Sequence, residues 1–169
     1  MKKQSLIITA LLLLTFSFIS TSSLQAQGRE YGTAVGLRLG SPLSASIKKF
    51  LNEDAAVEAY IGYRGFSSYN WVNIAAAYQI HNDIESVDGL QWYYGAGASV
   101  FFFSFDNIFV GDNSTTTSFG LQGYLGLDYT FADVPISITA DWVPTFFING
   151  FGNGFSGGYG ALGVRYILD

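Results

Sequence analysis

The chain has 169 residues, 49% of them hydrophobic and 17% aromatic but only 12% charged, with 20 glycines, no cysteine and a net charge of −5. A soluble domain carries roughly a quarter of its residues as charges, so this one lacks the polar supply to solvate its own surface. Its 15 Phe and 11 Tyr exclude a disordered chain, the missing cysteines exclude a disulfide scaffold, a cysteine metal site and a lipoprotein anchor, and the acidic balance excludes a nucleic-acid binder.

Met1–Lys2–Lys3 is a short positive region, and Leu6 to Ile19 follows without a charge. Ser20 to Ala26 is then small and polar. That order is the layout of a secretory signal, and the apolar run is short for a spanning helix, which needs about 20 residues. The expected cleavage lies between Ala26 and Gln27. It divides the chain into a signal peptide, 1–26, and a domain, 27–169, with six basic and thirteen acidic side chains.

From Tyr31 onward the chain alternates with a period of two. Tyr31, Thr33, Val35, Leu37 and Leu39 oppose Gly32, Ala34, Gly36, Arg38 and Gly40. One face is bulky and apolar, the other small with a single charge, which is a strand signature. The pattern recurs over 43–48, 55–63, 72–80, 90–102, 119–131, 136–142 and 160–168. Eight strands are predicted, most of them about 9–11 residues long, the length that crosses a bilayer at a tilt. Two uncharged stretches, Gly89–Phe105 and Trp142–Val164, are long enough to raise the question of a spanning helix. The first alternates cleanly, and the second holds Pro144 and seven glycines, so neither reads as a helix.

The composition of the two faces decides which one points inward. The small set is mostly Gly, Ala, Ser, Asn and Gln, a poor solvent surface but a good lining for a narrow interior. The large set suits a lipid-facing band with aromatics toward its ends. The charges on the small face nearly balance: Arg38, Lys48, Arg64 and Arg165 against Glu58, Asp128 and Asp141. Buried charges must be paired, so these seven are expected to form an ion-pair network in the lumen. Eight strands leave an interior that side chains just fill. Short turns, Leu51–Asp54 and Ala132–Pro135, are expected on the inner side. Longer outer loops are expected over Ser104–Ser118 and Thr145–Gly158, while the outer connection Gly40–Pro42 is short and the inner one, His81–Gly89, is long.

With the signal segment, the eight alternating stretches and the closing strand Gly160–Leu168, the chain resembles the outer-membrane β-barrel domain family, small eight-stranded barrels similar to outer-membrane proteins A and X. Its end, Gly163–Val164–Arg165–Tyr166–Ile167–Leu168, resembles the C-terminal signal read by the barrel-assembly machinery, although Leu168–Asp169 stands where such signals usually finish on an aromatic. The resemblance implies an all-β fold, an antiparallel up-and-down transmembrane barrel. It also implies a monomer in the outer membrane, with lipid and, during biogenesis, the assembly machinery as partners.

No motif carries catalysis. Gly154–Phe155–Ser156–Gly157–Gly158 spells GxSxG, but a nucleophile elbow needs a strand-to-helix turn and a His partner, so the stretch is read as a flexible outer loop. Gly152, Gly154 and Gly157 spell GxGxxG without a βαβ unit. His81, the sole histidine, lies at the inner end of its strand beside Asn82 and Asp83 and reads as a solvated turn residue. Barrel enzymes that modify lipid A, and the barrel proteases, place a His at the outer rim. Asp83, Glu85 and Asp88 lack the spacing of an EF-hand loop and read as an acidic turn. The stretch Asp112–Ser118 reads as a solvated loop tip open to a surface partner. The expectation is therefore an integral barrel with a side-chain-filled lumen, a structural or surface-interaction role, no cofactor and no catalysis. The alternatives are a narrow channel, a lipid-modifying enzyme or a soluble periplasmic ligand-binding barrel.

Overall fold

The period-two pattern resolves, in a computed structural model of the chain, into ten strand segments: β1 (Thr33–Ser41), β2 (Leu43–Phe50), β3 (Ala55–Gly65), β4 (Tyr69–Asp83), β5 (Leu90–Phe105), β6 (Ser114–Thr130), β7 (Ile136–Trp142), β8 (Thr145–Phe147), β9 (Gly154–Ser156) and β10 (Gly160–Ile167). The structure describes residues 32–65, 69–105, 114–150 and 153–168. The signal segment 1–26, Tyr31, the tip residues Asp112 and Asn113, and Asp169 lie outside them.

From β1 to β7 each segment pairs antiparallel with the next, β8 pairs with β6 and β9, and β10 lies between β7 and β1, closing the circle with Val35 opposite Tyr166 and Leu39 opposite Leu162. Ten segments make eight staves. β7 and β8 share one register against β6, Leu125 opposite Trp142 and Gln122 opposite Thr145. The break between them falls at Pro144, which has no N–H to give the ladder; its carbonyl still accepts from Gly123 N at 2.9 Å. β9 and β10 form the last stave, interrupted at Gly157–Tyr159. Between the pairs Trp142–Gly160 and Thr145–Ser156, three steps on one side match four on the other, the count of a β-bulge.

Thr33, Ile167 and the turns 51–54, 84–89 and 131–135 lie at one end of the barrel, here called the terminal end. Pro42 lies at the far end, as do the strand-end residues Gly65, Tyr69, Phe105 and Ser114. The two short turns stand where the sequence places them. The expected long loops are shorter than read, because Ser114–Ser118 belong to β6, and Thr145–Phe147 pairs with Gly154–Ser156 as a hairpin. The GxSxG stretch is therefore a strand edge and a bulge, not a flexible loop. Neither uncharged stretch is helical among the described residues: β5 covers 90–105, and β8, β9 and the start of β10 lie within 142–164, as their alternation and glycine content require.

The apolar set faces outward. Leu37, Leu39, Leu43, Ile61, Leu121, Leu125 and Leu162 are each more than half exposed. Aromatics border this band at both ends. Trp92, Tyr94, Phe131 and Tyr166 stand toward the terminal end, and Tyr63, Phe119, Phe146 and Phe155 toward the far end. Trp92 stacks on Tyr94 at 5.6 Å, and Trp142 donates from Nε1 to Gly157 O at 2.8 Å. A soluble barrel would carry the opposite polarity.

Candidate functional site

The inward face carries the polar residues, and Arg38, Lys48, Glu58, Gln79, His81, Asp128 and Arg165 are all almost completely buried. Register brings them together. Lys48 on β2 stands opposite Glu58 on β3, Gly36 opposite Arg165, and Gly126 opposite both Tyr93 and Asp141. Two glycines make the room. A Cβ at Gly126 would strike the Tyr93 ring, and one at Gly36 would strike the Arg165 stem.

Glu58 is the hub. Its Oε1 accepts from Arg38 Nη1 at 3.0 Å and from Arg165 Nη2, and its Oε2 from Gln79 Nε2 at 2.9 Å. Arg38 reaches across to Asp141 at 2.8 Å. That carboxylate also accepts from Tyr93 OH at 2.8 Å and from Ala161 N at 3.1 Å. Lys48 pairs with Asp128 at 3.2 Å. Arg165 Nη1 donates to Thr139 Oγ1 at 3.0 Å and lies 4.0 Å from Asp128. Arg38 packs over the Tyr60 ring and Lys48 over the Tyr93 ring. Three cations face three carboxylates, and every one of the eight staves contributes a side chain. Charges buried this deeply persist only when paired and hydrogen-bonded, and here each is paired with at least one opposite charge.

Of the seven charged residues read as a lumen network, the structure brings together Arg38, Lys48, Glu58, Asp128, Asp141 and Arg165. Arg64 stands apart, half-buried at the far end of β3. It stands six positions beyond Glu58, about 20 Å along a strand, beyond the reach of a side chain. His81 corrects the sequence reading. It is a buried lumen residue, not a solvated turn histidine, because β4 runs on to Asp83 and carries it inside. Its ring stacks on Tyr93 at 4.8 Å and meets Phe50 edge-on at 4.8 Å, with Nε2 3.4 Å from Lys48 Nζ. Asp83 accepts from Gln91 Nε2 at 2.6 Å in the exposed turn region.

Above the ionic layer lies a hydroxyl and amide layer. Tyr60 OH and Tyr124 OH lie 3.1 Å apart, Tyr124 donates to Gln122 Oε1 at 2.8 Å, and Gln122 Nε2 donates to Thr145 Oγ1 at 3.3 Å. The far end is closed by Trp71, Phe101, Phe103 and Phe147, with Tyr159 packed against them. Phe101 lies 4.9 Å from Phe147 and 5.3 Å from Trp71, and Tyr159 meets Trp71 edge-on at 5.8 Å. The sequence reading missed this plug. Its signal is the unbroken run Val100–Phe103, where alternation is lost because the inward face has become apolar as well. Among the described residues, no group of three or more His, Asp or Glu is placed to hold a metal ion.

The crystal structure of Neisserial surface protein A (NspA) matches with a TM-score of 0.57 and 21% identity, covering 80% of this chain and 93% of that one. The N-terminal β-barrel domain of Pseudomonas aeruginosa OprF matches with a TM-score of 0.58 and 18% identity, over 80% of this chain and 95% of that domain. No protein-family model matches the sequence, and no curated protein matches it. At such identities the likeness is one of fold: a closed, eight-stranded antiparallel barrel of the small outer-membrane type.

Proposed function

We propose that the chain is an integral outer-membrane β-barrel whose lumen is filled by its own side chains, with a structural or surface-interaction role and no catalysis. The observation that carries this reading is the outward apolar band bordered by aromatics, set against a charge-balanced polar interior. Water would not solvate such an exterior, whereas lipid would. Residues 1–26 then act as a cleaved export signal, with Ala26 and Gln27 at the cut. The termini and short turns lie on the periplasmic side, and the far end meets the cell surface. The barrel works as a monomer in lipid after insertion by the assembly machinery. Three layers (ionic, hydroxyl and aromatic) stand across the lumen, so no continuous ion path is expected.

Cell fractionation with a gel comparison of unboiled and boiled samples tests the membrane reading. The protein is expected in the outer-membrane fraction, with a mobility shift on heating. A soluble protein without that shift would overturn it. Planar-bilayer recording tests the closed lumen separately. No unitary conductance is expected, and discrete openings from the purified monomer would replace the plugged barrel with a narrow channel.

A further inference from the structure

A small cavity lies beneath the β1–β2 turn, between the ionic layer and the aromatic plug, with room for about one water molecule. Arg38, Pro42, Ser44, Tyr60, Asn73 and Gln122 are among its lining residues. Asn73 is completely buried there, and neither its Oδ1 nor its Nδ2 has a hydrogen-bond partner. A buried carboxamide left in that condition forfeits the hydration it had in the unfolded chain, which is why such groups are almost always satisfied. Gly62, opposite Asn73 in the β3–β4 ladder, has no side chain, and the room this leaves is taken by its neighbours. A Cβ there would collide with Pro42, Ser44 Oγ and Asn73 Oδ1 together. Ser44 Oγ and Asn73 Oδ1 therefore converge on one point.

We propose that this cavity is a binding site for a single structural water, held by the Asn73 carboxamide and shared with the hydroxyls of Ser44 and Tyr60. Size limits the ligand to something as small as water. Charge excludes an ion, since the one cation in the lining, Arg38, is already matched by Glu58 and Asp141. The water accepts from Asn73 Nδ2 and donates to Asn73 Oδ1 or Ser44 Oγ, within the two to four partners that a buried water makes. It joins β2 and β4 to the Tyr60–Tyr124–Gln122 layer, and so ties opposite walls of the barrel at the level where the ion pairs stop.

The test is a high-resolution crystal structure of the folded barrel, paired with water-to-amide magnetisation transfer read at the Asn73 side-chain amide in detergent micelles. Ordered water density within hydrogen-bond distance of the carboxamide, with a long-lived water cross-peak at its protons, is the expected result. In Asn73→Leu the density is expected to vanish while the heat-modifiable band persists at or above the wild-type transition temperature. A wild-type cavity without water density, or Asn73 bonded directly to a protein group, overturns the proposal, as does water retained in Asn73→Leu. Should that variant fail to fold, the wild-type density and cross-peak decide alone.

Discussion

The two ends of the lumen are filled by opposite chemistry. Toward the terminal end, Arg38, Lys48, Glu58, Asp128, Asp141 and Arg165 interlock through carboxylates. Toward the far end, Trp71, Phe101, Phe103 and Phe147 pack ring on ring. Both halves are buried, yet they fail in different ways. A buried ion pair adds little beyond its own desolvation cost, but breaking it leaves a charge without a partner. A buried aromatic stabilises by area and contact, and its loss leaves a hole. The ionic half therefore specifies which strand lies where, because only one register sets three cations against three carboxylates. The aromatic half contributes cohesion and a seal.

The contrast is sharpest in Glu58→Ala, for which the largest loss is expected. Arg38 and Arg165 would both be left facing a gap, and unfolding in detergent should show a destabilisation of roughly 3–5 kcal/mol. An unchanged unfolding midpoint would mean that the network contributes nothing to closure. Phe101→Ala should cost a comparable or slightly smaller amount, about 3–4 kcal/mol, by cavity formation. Double variants separate the mechanisms. Lys48→Met alone strands Asp128, whereas Lys48→Met with Asp128→Leu should recover most of the loss. Phe101→Ala with Trp71→Ala should only lose more. If the charged double variant falls below both of its singles, the ionic half behaves like the aromatic one and the contrast fails.

How much of this was legible in the sequence follows the same divide. The ionic half was readable because the charges stand singly on the inward face of alternating strands: Arg38 between Gly36 and Gly40, Glu58 after Ala56, Arg165 after Gly163. Alternation assigns the face, and charge balance calls for pairing without saying which charge meets which. The aromatic plug was hidden because Phe101 and Phe103 interleave with Phe102, so both faces of that stretch look alike. His81 was misplaced for another reason. A strand end beside Asn82 and Asp83 looks like a turn, and only the register with Tyr93 shows that the ladder continues past it. The β8–β9 hairpin escaped notice because three-residue strands are too short to display a period.

Smaller effects test the exterior. Leu37→Arg, in the middle of the outward face of β1, should destabilise the lipid-embedded barrel by about 2–4 kcal/mol if it sits at the bilayer midplane. Refolding in bilayers against urea would show it, and a neutral result would place Leu37 outside the hydrocarbon. Trp142→Phe removes one hydrogen bond, to Gly157 O, and keeps most of the apolar area. About 0.5–1.5 kcal/mol is expected, the smallest loss of the set.

The central claim is that the polar face is inside and the apolar face meets lipid, and the three native tryptophans report on it directly. Trp92 and Trp142 face outward, whereas Trp71 is buried in the lumen plug. Each can be isolated by replacing the other two with Phe, and the single-Trp proteins reconstituted in vesicles of lipid brominated near the headgroup end of the acyl chain. Strong fluorescence quenching of Trp92 and Trp142 with little quenching of Trp71 is the predicted result. Quenching of Trp71 with Trp92 and Trp142 spared would contradict the account.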